Sequence, residues 1–157
     1  MARNSRPEFE LERHLFFWLT QVTAARDLQL APALRDFGLR VPEWRALAAL
    51  YARRRCTMSE LADLAAIDRT TLTRTMDRMQ HAGWLTRLAD GEDMRVTRLS
   101  LTASGERLFA RIWPIVERLN QAAIAGLAPG AVDRLRATLA QMKRNLEEEP
   151  AASERAA

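Results

Sequence analysis

Lysine is almost missing from this chain: of the 24 basic residues only Lys143 is not arginine. Cysteine is scarcer than in most chains. Cys56 stands alone, so no internal disulfide can form, which fits a reducing, cytoplasmic setting. Histidine occurs at His14 and His81 only, and no His/Cys/carboxylate cluster has metal-ligand spacing. There is no glycine-rich phosphate cradle and no nucleophile motif. Asp90, Glu92 and Asp93 are neighbouring acids, but on an exposed turn with no evident means of raising a carboxylate pKa. These gaps argue against an enzyme and against a bound cofactor. No secretory leader is visible, and His14 to Ala25, the longest uncharged stretch with aromatics, is too short to span a bilayer. No membrane partner is expected.

What is present is a single-domain length of 157 residues, with a net charge of +4. That is enough chain for a core, and typical of a chain that completes itself by dimerising. A pI of 10.4 suits a polyanion partner. Yet the stretch 57–98 holds six Arg against seven acids. Any argument for DNA must rest on where the charges sit.

Two capped starts organise the chain. Thr57 with Glu60 three residues on is a capping box, and Cys56 and Leu61 flank it as an apolar staple. Asp68 caps a second helix, with Ile67 and Leu72 as its staple. So close together, they leave room for a short helix, a turn and a second helix. On the second helix Leu72, Met76 and Met79 follow core spacing. Arg69, Thr70, Thr73, Arg74, Asp77 and Arg78 recur on the other side. Guanidinium suits guanine edges and phosphates, and threonine suits phosphates and the thymine methyl. A solvated charged face is the alternative. The mixture after a double cap predicts a helix-turn-helix whose second helix lies in a DNA major groove. Gly83 closes that helix. Leu85–Leu88, a turn over 89–94 with Asp90-Gly91, and Val96–Leu101 then predict a β-hairpin. Helix-turn-helix plus hairpin is a winged helix, and a hairpin arginine can visit the minor groove.

Around this lie helices. The first is expected from about Glu8 to Leu28, with Leu11, Leu15, Trp18 and Val22 on one stripe and Phe16, Phe17 and Leu19 beside it. It is apolar on more than one face, which calls for a partner subunit. A second starts near Pro42 and runs through Tyr51. After the wing, Thr102 caps a helix to about Ala125 that Pro114 should bend or break. A turn from Gly126 to Gly130 leads to a last helix, about Ala131 to Glu147, with an apolar stripe of Val132, Leu135, Leu139, Met142 and Leu146. The tail, 149–157, is expected to be disordered.

The runs Asp68–Arg74, Gly83–Arg87, Asp90–Arg95 and Leu99–Gly105 resemble the signature of MarR-type transcriptional regulators. The likeness covers nearly the whole chain, and the wing followed by Leu-Thr-x-x-Gly is its most specific part. It implies a mostly α fold with a small β-hairpin wing. Residues 8–40 and 102–148 would form a helical dimerisation platform and 41–101 the DNA-binding winged helix, within one MarR-like domain. It implies a homodimer on a pseudo-palindromic double-stranded operator. Thr71, Thr73 and Arg74 fall at the family's base and phosphate contacts, flanked by Thr70, Arg69 and Arg78, with Arg95 on the wing. One departure stands out. The family's wing reads Asp-x-Arg-Asp-x-Arg, and Glu92 replaces the first Arg. A carboxylate there repels phosphate, so Arg95 is expected mainly to pair with Asp93.

The resemblance also implies a small effector, an aromatic carboxylate or thioester, held between platform and winged helix. Its candidate contacts are His14, Phe17, Trp18, Gln21, Trp44 and Arg45, which also suit plain core or interface roles. The expected function is a repressor of a nearby catabolic or efflux operon, released by that ligand. The alternative is a regulator controlled by redox chemistry or by protein contact.

Overall fold

The computed structural model describes residues 9–89 and 97–148. A 3-10 turn at Leu11–Arg13 precedes α1 (Leu15–Arg35) and α2 (Val41–Arg53). Then come β1 (Cys56–Thr57), α3 (Met58–Ala65), α4 (Arg69–His81), β2 (Leu85–Ala89) and β3 (Thr97–Leu101). Finally come α5 (Ala103–Ile124) and α6 (Ala131–Glu148). The expected mostly α fold with a small wing is therefore what is found. By compactness the chain divides into two units, Met1–Leu119 and Asn120–Ala157.

The core of the first unit draws on all its helices. Leu34 of α1, Leu47 of α2, Leu61 of α3, Met76 and Met79 of α4 and Leu99 of β3 are fully buried. Each such side chain contributes about 1.5–3 kcal/mol on burial. Leu72 joins them, so the three residues assigned to the core face of α4 all lie inside.

Three boundaries differ from expectation. α1 runs to Arg35, not Leu28, straight through Pro32. A proline inside a helix loses one hydrogen bond, but Leu30 and Leu34 are buried just around it and hold the last turns in place. α5 likewise continues through Pro114 without the expected break, with Ile112 and Val116 buried on either side. The third difference is β1, which no alternation of residues announces. Its two residues pair with β3, Cys56 opposite Leu99, and make a three-stranded antiparallel sheet in the order β1-β3-β2. The wing tip, residues 90–96, lies outside the described residues.

Where α4, the wing and α5 meet, the backbone is tightly fitted. Gly83 has φ +71° and its N–H reaches the carbonyl of Gln80, while the Trp84 N–H reaches Met79. This paired closure is a Schellman motif, which favours glycine at the left-handed position. Thr102 then binds back. Its N–H donates to the Trp84 carbonyl at 3.0 Å, its hydroxyl donates to the Gly83 carbonyl at 2.6 Å, and it accepts the Gly105 N–H at 3.1 Å to cap α5. A Cβ on Gly105 would stand 2.1 Å from the Trp84 carbonyl oxygen. The glycine of Leu-Thr-x-x-Gly is thus a steric necessity.

In the second unit, glycines with positive φ, Gly126 and Gly130, bound the turn before α6. No residue of α6 is buried. Among the described residues no helix is long and apolar enough to cross a membrane.

Gly105→Ala is expected to destabilise the protein by about 1–3 kcal/mol or more, the range for overpacking. A urea midpoint equal to wild type would show that α5 can slide away from Trp84 freely.

Candidate nucleic-acid interface

Both caps of the helix-turn-helix form as their residues require. The Thr57 hydroxyl accepts the Glu60 N–H at 3.2 Å, and the Glu60 carboxylate accepts the Thr57 N–H at 2.7 Å. Asp68 accepts the Thr71 N–H at 2.9 Å. Between the helices Ala66 takes the left-handed conformation, φ 51° and ψ 53°.

Helical geometry sorts the rest of α4. With Leu72, Thr75, Met76 and Met79 buried, a period of 3.6 residues puts Thr70, Arg74, Asp77 and His81 on the outermost ridge. All four are exposed. Arg69 and Thr73 sit on one flank, and Thr71 and Arg78 on the other. Thr73 spends its hydroxyl hydrogen on the Arg69 carbonyl at 3.0 Å, which leaves it only as an acceptor. Thr71 is half-buried and turned to Asp68.

The charges are committed unevenly. Asp77, the one acid on this face, is held by Arg87 of β2 at 2.6 Å. Arg78 pairs at 2.6 Å with Glu43, whose side chain is only 2% exposed at the start of α2. Arg78, expected to flank the DNA contacts, thus lies on the side of α4 turned to α2. Arg69 and Arg74 have no ion-pair partner among the described residues. Arg95, assigned to the wing, lies outside the described residues, as do Glu92 and Asp93.

The effector candidates do not converge. His14 stands outside α1, as its N-cap, with its ring 4.4 Å from that of Phe9. The helix begins after it, at Leu15. The Trp18 indole donates to the Glu12 carbonyl at 2.7 Å, and Phe17 packs edge-on to Trp18 at 5.2 Å. Gln21 is exposed. Trp44 is buried and stacked near Phe109, 5.6 Å between centroids. Of the six candidates, Trp44 and Arg45 line a cleft of about 770 Å³ between α1, α2 and the end of α3. Arg26 and Arg53 also line it. Asp27 already holds Arg45 at 2.6 Å and Arg26 at 3.3 Å.

Other residues carry roles that the sequence did not signal. Glu43 sits one residue after a helix-starting proline, a position that hints at capping but not at Arg78. The Arg53-Arg54-Arg55 run closes α2 in a defined turn. Arg54 has φ 66° and ψ −49° with Arg55 N–H donating to Arg53 carbonyl at 2.7 Å, a strained γ-turn. Its guanidinium turns to Glu106 at 3.3 Å. Cys56 is buried, and burial pushes its thiol pKa up, so little thiolate is available to an oxidant. Among the described residues no cluster of His, Cys, Asp or Glu can hold a metal.

A sequence profile of the MarR family matches residues 39–97. The HTH-type transcriptional repressor IacR of Pseudomonas putida is 30% identical over 140 residues, covering 89% of this chain and 84% of that protein. The HTH-type transcriptional regulator PecS of Dickeya dadantii is 31% identical, over 70% of this chain and 69% of its own. Among solved structures, a MarR-family regulator from Silicibacter pomeroyi superimposes with a TM-score of 0.79 at 26% identity, over 87% of this chain and 92% of that one. A cysteine-to-serine mutant of MarR from E. coli, crystallised with operator DNA, shares the fold at a TM-score of 0.70 and 24% identity, over 82% and 92%. These relatives are regulators, not enzymes.

Hydrogen bonds from Thr57 lower the Glu60 pKa, and bonds from Thr71 lower that of Asp68. A carboxylate lowered on folding stabilises above its ordinary pKa and loses that contribution as pH falls through the lowered value. Both helix starts are therefore expected to loosen as pH drops below the ordinary values of 4.5 and 3.8. Amide exchange at Glu60 and Thr71 should accelerate there ahead of the core; protection that holds down to global unfolding would show that the caps contribute little.

Proposed function

Because the chain belongs to the MarR family of transcriptional regulators, we propose that it represses a nearby catabolic or efflux operon as a cytoplasmic homodimer. Each subunit lays α4 in a major groove of a pseudo-palindromic duplex. The observation that carries this is the outer ridge of α4: exposed Thr70 and Arg74, with the adjacent Asp77 neutralised by Arg87. Arg69 and Thr73 supply one flank. Two such helices, one DNA turn or about 34 Å apart, match a two-fold site. Residues 41–101 form the DNA-binding part, and 8–40 with 102–148 the dimer platform.

The dimer is supported by α1. Leu15, Phe16, Trp18 and Val22 are exposed along its first half, Val22 at 62%. So much apolar surface on one helix is costly in water and calls for a second copy.

Release by a planar aromatic carboxylate or thioester is supported by the cleft. Trp44 lines it, the small side chains of Ala48, Ala49 and Ala52 leave room, and Arg26, Arg45 and Arg53 offer charge. A ligand carboxylate must compete with Asp27 for Arg45. The ligand releases DNA only to the extent that it prefers the DNA-incompetent arrangement. A redox-controlled regulator is the weaker reading, since its lone thiol is buried.

Arg74→Ala is expected to weaken binding to a selected operator duplex by about 1–3 kcal/mol, roughly 5- to 150-fold. Unchanged affinity in a fluorescence anisotropy titration would move α4 out of the groove. Titrating the protein with benzoate and indole carboxylates should quench tryptophan fluorescence, and Arg45→Ala should weaken that response about tenfold or more, the scale of a lost charge-assisted contact. Silence of the wild type to every such acid points to another effector class.

A further inference from the structure

We propose that Glu43 is a positioning residue for DNA reading: it withholds Arg78 from the phosphates and fixes α4 against α2. This rests on the reading of α4 as the DNA-contacting helix. Both carboxylate oxygens of Glu43 are engaged. One accepts the Arg40 N–H at 2.7 Å, at the start of α2. The other meets Nη1 of Arg78 at 2.6 Å, near the end of α4. At 2% exposure the carboxylate lies out of water. Removing its partner would strand a buried charge, which is strongly unfavourable. Arg78 therefore stays with Glu43, although 45% of its side chain remains exposed.

The consequence concerns specificity. Phosphate contacts bind any sequence, whereas base-edge contacts discriminate. Arg78 lies on the flank of α4 turned to α2, far from the base-reading first turns. Were it free, it would add a contact indifferent to sequence. Pairing it with a buried acid removes that contact and leaves Arg69 and Arg74, on the first turns, as the helix's unpaired guanidiniums among the described residues. The same pair stops α4 from rolling about its axis, so the Thr70–Arg74 ridge keeps one orientation to the groove.

The test uses the full-length protein and two duplexes: one selected from a random pool by the wild type, and a scrambled version. Glu43→Gln keeps an oxygen for the Arg40 N–H and removes the charge. It should raise affinity for the scrambled duplex several-fold, lower the selected-to-scrambled ratio, and steepen the log–log salt slope by about one. A purely structural Glu43 would weaken both duplexes together and leave the slope alone; that result overturns the proposal. The double variant E43Q/R78Q strands no charge and keeps the fold testable if E43Q alone is unstable. Its salt slope should equal that of the wild type; a slope shallower by about one would show that Arg78 already touched phosphate, and would overturn it too. If no duplex is enriched by the wild type, the DNA reading itself fails, which the ratio and slope measurements on an enriched duplex keep separate.

Discussion

The carbonyl oxygen of Trp84 is the point on which the winged helix depends. It accepts the Thr102 N–H, and the bare Cα of Gly105 lets the start of α5 pass directly beside it. One turn of chain thus fastens the end of α4, the root of the wing and the start of α5. An unpaired buried carbonyl is costly, and a side chain at 105 would force α5 away from it. The wing can then leave α4 in only one direction, because its first residue follows a closed Schellman turn and its last strand leads into a capped helix.

Charge on this surface is organised by pairing. Asp77 and Arg87 cancel across the helix–wing junction, and Glu43 cancels Arg78 on the inner flank. The 57–98 stretch is not net basic, but Asp77 on the outer ridge is paired with Arg87, Arg78 on the flank is paired with Glu43, and Arg69 and Arg74 project from the first turns of α4. Position, and not net charge, makes the face cationic. The same logic applies at the cleft, where Asp27 occupies the guanidiniums that an acid ligand would need.

The hydrophobic surfaces divide by element. α4 is apolar on one side only, and that side is fully used by the core. The first half of α1 is apolar nearly all round and stays exposed. A helix of the first kind is satisfied within its own domain, while one of the second kind leaves apolar surface in the open.

Local signals alone determined a good deal. Thr57 with Glu60 three residues on announced the first cap and Asp68 the second, because a cap is made by residues close in sequence. Leu72, Met76 and Met79 announced the buried side of α4, because helix geometry repeats every 3.6 residues. Gly83 and the alternation around it announced the wing. Tertiary structure decided what no local window contains. Pro32 and Pro114 were tolerated because buried leucines, isoleucine and valine beside them outweigh one lost hydrogen bond each. The two-residue strand at Cys56 exists because β3, far along the chain, offers it a partner at Leu99. The Arg78–Glu43 pair is visible only in the fold, since an ion pair between residues so distant in sequence leaves no periodic trace. Helical spacing places side chains on a common face, but whether that face lines a cleft depends on which other helices come near.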